Sequence, residues 1–147
     1  MNKTPSYTHQ IAVNAYVYKD NRFLLLKRNK APFIWGPPGG RLTRDEDPVL
    51  GLQREVKEET GLNVEILVPA NTWFGVWEDT EYLLSIDYLV QITGGTLTLS
   101  HEHSAYAWCA IDELKTGKPV PLDPEIGFQL KDFQNAKLLI DALALTL

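Results

Sequence analysis

The sequence holds a single cysteine, Cys109, and no apolar run close to the roughly 18 residues that a membrane-spanning helix needs. A lone thiol cannot close an intrachain disulfide and leaves no thiolate metal site, which fits a reducing compartment. Positive charge is also scarce: 14 Lys and Arg stand against 19 Asp and Glu, for a formal net charge of -5. That balance argues against a surface built for a polyanion such as nucleic acid or anionic lipid. The opening MNKTPSYTHQ lacks the apolar core of a signal peptide. A cytoplasmic chain with no membrane or nucleic-acid partner is therefore the expectation. No internal repeat, low-complexity tract or linker-like stretch divides the sequence.

What remains is 147 residues with 44% hydrophobic and 22% charged side chains, enough to bury a core in one compact domain spanning 1–147. Ile11, Val13, Ala15 and Val17 alternate, Lys19, Asp20 and Asn21 supply turn chemistry, and Phe23 to Arg28 follow, which predicts a hairpin. Residues 29–41 are rich in Pro and Gly and read as loop or irregular edge, because Pro37 and Pro38 cannot donate to a ladder. Asp47 before Pro48 is a helix opening and Gly61 a stop, so a helix is predicted over about 48–60. Alternation at Val64, Ile66 and Val68 and at Leu84, Ile86, Tyr88 and Val90 predicts two strands. Gly94 and Gly95 mark a turn before TLTL, with further strands expected beyond it, one of them at residues 105–111. Asp112 is placed to cap a short helical turn, and residues 128–145 have helical spacing. The pattern predicts an α/β (α+β) sandwich in which helices cover a central mixed sheet.

On the predicted helix Glu55, Glu58 and Glu59 fall at about 0°, 300° and 40°, one arc of roughly 100°. Val49, Leu52 and Val56 occupy the neighbouring arc and form the expected sheet-facing stripe. Acidic residues often do no more than coat a solvated face. Here like charges sit three and four residues apart, and two of them lie near the C-terminal end, where the helix dipole disfavours anions. A hard divalent cation such as Mg²⁺ would offset both effects, since it takes oxygen ligands and leaves positions for phosphate and water. Gly39 and Gly40 let backbone approach a ligand, and Arg28, Arg41, Arg44 and Lys27 are cations suited to phosphate oxygens.

From Gly40 to Leu62 the sequence reads Gly, five residues, Glu46, seven residues, Arg54-Glu55-Val56, one residue, Glu58-Glu59, one residue, Gly61-Leu62. This resembles the Nudix box at every defining position, and the opening hairpin and closing helix resemble small Nudix hydrolases. The resemblance implies an α/β/α sandwich and a Mg²⁺-dependent pyrophosphohydrolase, with Mn²⁺ an alternative ion, acting on a small-molecule nucleotide. It implies Glu55, Glu58 and Glu59 as metal ligands with the Gly40 carbonyl close by. Arg54 would hold a catalytic glutamate and pair with Glu46, a structural residue like Gly61. A helical spacing of four independently lets Arg54 reach Glu58. Glu59 is one candidate base. Glu102, in SHEHSAYAW, resembles the downstream glutamate that many members use as a further ligand or base, and is the preferred one.

His101 and His103 flank Glu102 and are read as solvated, with phosphate contact the alternative. Cys109 is read as a core residue without thiolate activation, and Trp35 and Trp108 as sheet anchors. Trp73, Phe74, Trp77 and Tyr82 crowd a connector between strands, where a nucleobase could stack; core or dimer-interface packing is the other reading, and a homodimer stays open. The PGGRL turn resembles that of sugar-nucleotide members, so the expected substrate is a nucleotide sugar or ADP-ribose. Against ADP-ribose, Trp77 stands fifteen residues past Leu62, about where many ADP-ribose hydrolases carry proline. The alternatives are cleavage of (d)NTPs, including oxidised ones, and a non-catalytic nucleotide-sensing module, which would be expected to have lost box glutamates.

Overall fold

The structure, a computed structural model, describes residues 8–78 and 81–147. Strands β1 (Gln10–Lys19) and β2 (Arg22–Arg28) form the expected hairpin. Asp20 and Asn21 turn it with φ of 50° and 64°, the left-handed values a two-residue hairpin turn asks for and that Asp and Asn tolerate best. Then come β3 (Trp35–Gly36), β4 (Gly39–Arg41), helix α1 (Pro48–Thr60), β5 (Leu62–Val76), β6 (Tyr82–Gly95), β7 (His103–Cys109), α2 (Ile111–Thr116) and α3 (Leu130–Ala142).

The strands run β3-β2-β1-β6-β5, with β4 also on β1 and β7 also on β2. β1 and β6 are parallel and the other pairs antiparallel, so the sheet is mixed. β1 changes partner along one edge: Ala12 to Asn14 pair with β4, and only Tyr18 and Lys19 pair with β2. The two arms of the sheet part in between.

Alternation along the strands sorts the core into two layers. Val13, Ala15, Val17, Leu24, Leu26 and Val90 meet Leu52 and Val56 of α1. Tyr16, Tyr18, Phe23 and Leu25 point the other way and meet Leu114 of α2 and Phe133, Ala136 and Ile140 of α3. The expected sandwich is thus present, with α1 on one face and α2 and α3 on the other.

Several local expectations change. Residues 29–41 include two short strands, and β4 is a true partner of β1. Pro38 still joins without donating, by accepting from the Ala15 N–H. The aromatic stretch is no connector: residues 71–76 continue β5 and pair with residues 82–87 of β6. TLTL forms no strand; the Thr98 N–H within it donates to the Thr60 carbonyl at the end of α1, and the N–H of Ser100 just after it to that of Glu59. Val49 is 40% exposed, and Gly51, Leu52 and Val56 make the buried stripe. Ala110, not Asp112, opens α2, and Glu113 reaches back to the Ala110 N–H. α3 is shorter at both ends than the leucine spacing suggests. No helix among the described residues is long and apolar enough to cross a membrane.

Candidate active site

Helix α1 starts and stops where its caps place it. Asp47 accepts the Leu50 N–H at 3.0 Å, Pro48 occupies the first turn, and Gly61 closes the helix at φ 73°. These ends fix the azimuth of every carboxylate between them. Glu59 lies nearest the sheet and is only 4% exposed; its Oε1 accepts the Gly39 N–H at 2.8 Å. Burial, only partly opposed by that N–H, pushes its carboxyl up to about 8, and neighbouring Glu55, Glu102 and Glu58 add to the rise.

Glu55 lies against Gly40 so closely that a Cβ there would stand 2.6 Å from its carboxylate. Burial raises its pKa as well. Glu58 is more open. Arg54 gathers the group: its Nε and Nη2 bond both oxygens of Glu46, at 2.8 and 2.9 Å, and its Nη1 reaches Glu58 at 3.2 Å and Glu55 at 3.1 Å. The two-point pair with Arg54 and the Thr43 N–H hold Glu46 down to about 2. Such a fork keeps the guanidinium planar and aimed.

The loop before β7 supplies the other wall. Asn29 ties it down, donating its N–H to the Glu102 carbonyl at 2.9 Å and its Nδ2 to the His101 carbonyl at 3.0 Å. A register shift at Lys27 and Arg28 sets His103 opposite Arg28. Ligand atoms of Glu59, Glu102 and His103 lie within 4.8 Å of one another. His103 Nδ1 is sealed from solvent without a hydrogen-bond partner, and burial lowers the imidazole's pKa, favouring the neutral ring.

This donor set suits a divalent cation. It offers clustered carboxylate oxygens, those of Glu55 and Glu59 with their pKa raised by burial, a neutral imidazole nitrogen with nothing to bond, and a glycine that leaves room for Glu55. Metal-free, the acids disfavour one another's ionised form: Glu55, Glu102 and Glu58 each add to the rise at Glu59.

The acids edge a cavity of about 780 Å³. Gly40, Glu59 and Glu102 line it, whereas Glu55 and Glu58 do not. Arg28 and Arg41 both line it and both have protein partners. Arg28 pairs with Glu78 and lies 5.4 Å from the centre of the Trp77 ring; Arg41 bonds Gln10 Oε1 at 2.6 Å and the Trp77 carbonyl at 3.4 Å.

Trp73 and Trp77 line the cavity, but Phe74 and Tyr82 do not. Strand alternation is the reason: Trp73 faces the same side as its partner Ser85, while Phe74 and Tyr82 emerge on the opposite face and stack on each other at 5.1 Å. Trp35 lines the cavity and Trp108 packs on the α1 core layer. Cys109 is fully buried and burial pushes its thiol up to about 11.

His103, which reads from the sequence as a solvated loop residue, lines the cavity, as do Asn29, Asn14, Ser85, Asp87 and Asp132, none of which the sequence singles out. A signal existed for three of them. Asn14, Ser85 and Asp87 are polar positions on strand faces that otherwise alternate apolar residues inward.

A NUDIX domain model matches residues 8–128. A MutT-like protein of Streptomyces ambofaciens is 33% identical over 107 residues, covering 72% of this chain and 67% of that protein. An ADP-ribose pyrophosphatase of Methanocaldococcus jannaschii is 32% identical over 62% of this chain and 56% of its own length. The crystal structure of a MutT NUDIX hydrolase from Burkholderia pseudomallei superposes with a TM-score of 0.69 at 28% identity, covering 80% of this chain and 92% of that one. The chain thus spans about two thirds or less of these two curated relatives.

Proposed function

The chain belongs to the NUDIX hydrolase family, and from that premise we propose that it cleaves the diphosphate of a nucleoside diphosphate linked to a second group, a nucleotide sugar or ADP-ribose. The cavity's reach supports this reading. Its lining runs from Gly39 and Gly40 across β1 to β6 and β5 on one side, and to β2 and β3 on the other. A diphosphate beside the acids then has room for a moiety in each direction, and about 780 Å³ is ample for both. The M. jannaschii relative's name, ADP-ribose pyrophosphatase, is compatible.

Glu55, Glu58, Glu59 and Glu102, the Gly40 carbonyl and His103 would hold the divalent cation, Mg²⁺ or Mn²⁺. When bound, the ion neutralises diphosphate charge and lowers the pKa of water beside it. Arg54 positions Glu58 and Glu55 and is itself anchored by Glu46. Glu59 has one oxygen committed to Gly39 and is buried, which suits a ligand. Glu102, exposed at the cavity's mouth on a loop fixed by Asn29, is the better placed to accept the proton of the attacking water as the P–O bond breaks.

The test is a panel of nucleotide sugars, ADP-ribose, dinucleotides and (d)NTPs assayed with Mg²⁺ for released nucleoside monophosphate. The reading expects one diphosphate-linked class to lead. A lead for (d)NTPs would favour the alternative, in which the same acids act on a triphosphate, and equal slow turnover of all would count against both. Glu58→Gln and Glu59→Gln are expected to abolish turnover with the fold intact.

A further inference from the structure

The cavity floor carries a second polar cluster that the diphosphate chemistry leaves unused. Gly39, Asn14 and Asp87 stand in one register row across β4, β1 and β6, which sets Asp87 about 10 Å from Gly39 at ordinary strand spacing. Gly39 in turn contacts Glu59. Asp87 itself therefore stands two strand spacings from the Gly39 that holds Glu59, room for a ribose and a base.

Asp87 is 3% exposed, a place where a carboxylate is rare without a partner. Its Oδ1 accepts both local bonds, from Asn14 Nδ2 at 3.0 Å and Ser85 Oγ at 2.7 Å. Among the described residues its Oδ2 receives none. Nor is Oδ2 among the unpartnered polar atoms sealed from solvent, so it opens onto the cavity that Asp87 lines. Asp132 lines the same floor from α3, with its Oδ2 taken by the Gln129 N–H at 2.8 Å. Burial, and Asp132 nearby, raise Asp87 to about 6, so at neutral pH or above it is mainly ionised.

An ionised carboxylate only accepts hydrogen bonds. Whatever faces this floor must present N–H or O–H groups, and a carbonyl or ring-nitrogen acceptor there would be repelled. Adenine, cytosine and uracil each set an acceptor beside their donor. Guanine sets N1–H and its 2-amino group side by side. Trp73 bounds the space without filling it, since its indole leans over Gly75, where a Cβ would stand 2.6 Å from the ring.

We propose that Asp87 and Asp132, braced by Asn14 and Ser85, form a recognition subsite for a heterocycle edge with two adjacent N–H donors, as in guanine, making the substrate a guanosine derivative. This rests on reading the cavity as the site of diphosphate cleavage. It also narrows the nucleotide-sugar reading to one base and stands against ADP-ribose.

The experiment compares kcat/KM for one sugar linked to GDP, IDP or ADP, and in parallel the affinity for GMP and IMP by calorimetry. Inosine lacks only the 2-amino group. The expected guanosine preference over inosine is about 10- to 100-fold, falling to within about threefold in Asp87→Asn. Asp132→Asn serves as the second variant should Asp87→Asn fail to fold, and is expected to shrink the ratio in the same direction. A wild-type ratio near one, equal losses on every base, or a change in sugar preference alone would overturn the subsite. If no nucleotide is hydrolysed, the cleavage reading fails by itself, and the ratio of GMP to IMP affinity in wild type and variants still decides the subsite.

Discussion

The Gly39 N–H points at Glu59 Oε1 across 2.8 Å, joining the β4 edge of the sheet to the most buried acid of α1. That bond is possible because Gly39 has no side chain: a Cβ there would meet the Val13 carbonyl at 2.2 Å. Sheet pairing and the position of the acid thus depend on the same residue, and its neighbour Gly40 does the equivalent for Glu55.

The two glycines should separate on substitution. Gly39→Ala collides with backbone and is expected to lower stability by at least about 1–3 kcal/mol. Gly40→Ala meets first the end of the Glu55 side chain, 2.6 Å away, which can swing aside. It should keep Tm within a few degrees and weaken Mn²⁺ affinity by about 10- to 100-fold. Thermal melts and metal titration of both variants check this.

Glu59 gives the metal-free protein a pH signature. Its carboxyl is raised to about 8 by burial, from an ordinary 4.5. Below the ordinary value both folded and unfolded chains are protonated there, and stability is fully present. As pH rises the unfolded chain ionises first, so stability falls through the window and is lost by the time pH passes about 8. The loss is on the order of a few kcal/mol. Glu59→Gln should flatten this fall, and saturating Mg²⁺ or Mn²⁺ should reverse it by binding the ionised form, as melts from mildly acid to mildly alkaline pH would read out.

Arg54 and Glu46 act through their neighbours. Glu46→Gln removes half of the fork that aims Arg54 and should lower kcat by about 10-fold or more with KM little changed. Arg54→Lys, which keeps charge and loses the fork, should do no better. If Arg54→Lys restored full kcat, charge alone would be enough and the positioning role would be wrong.

The parity of β5 gives a third contrast. Trp73→Ala is expected to raise KM about 10-fold through lost contact with substrate, whereas Phe74→Ala and Tyr82→Ala, on the far face, should leave KM within about twofold.

Much of this was legible because it is local. Asp47-Pro48 and Gly61 bound α1 to the residue, and the spacing of Glu55, Glu58 and Glu59 carries over once the helix is placed. Arg54 reaching Glu58 is one helical turn. What stayed hidden depends on strand partners far apart in sequence. Phe74 and Tyr82 look like part of an aromatic connector until β6 pairs with β5 and sets the parity. Asp87 means little until β1 brings Asn14 beside it. His103 reads as a surface histidine until the shift on β2 turns it toward Glu59. TLTL alternates like a strand, yet the free Thr60 carbonyl at the end of α1 takes the Thr98 N–H.

The most direct test is calorimetric titration of Mg²⁺ and Mn²⁺ into the wild-type protein and Glu59→Gln at mildly alkaline pH. Saturable uptake by the wild type with proton release, and loss of it in Glu59→Gln with the fold preserved, is the expected result. No uptake of either ion by the folded wild type would contradict the account.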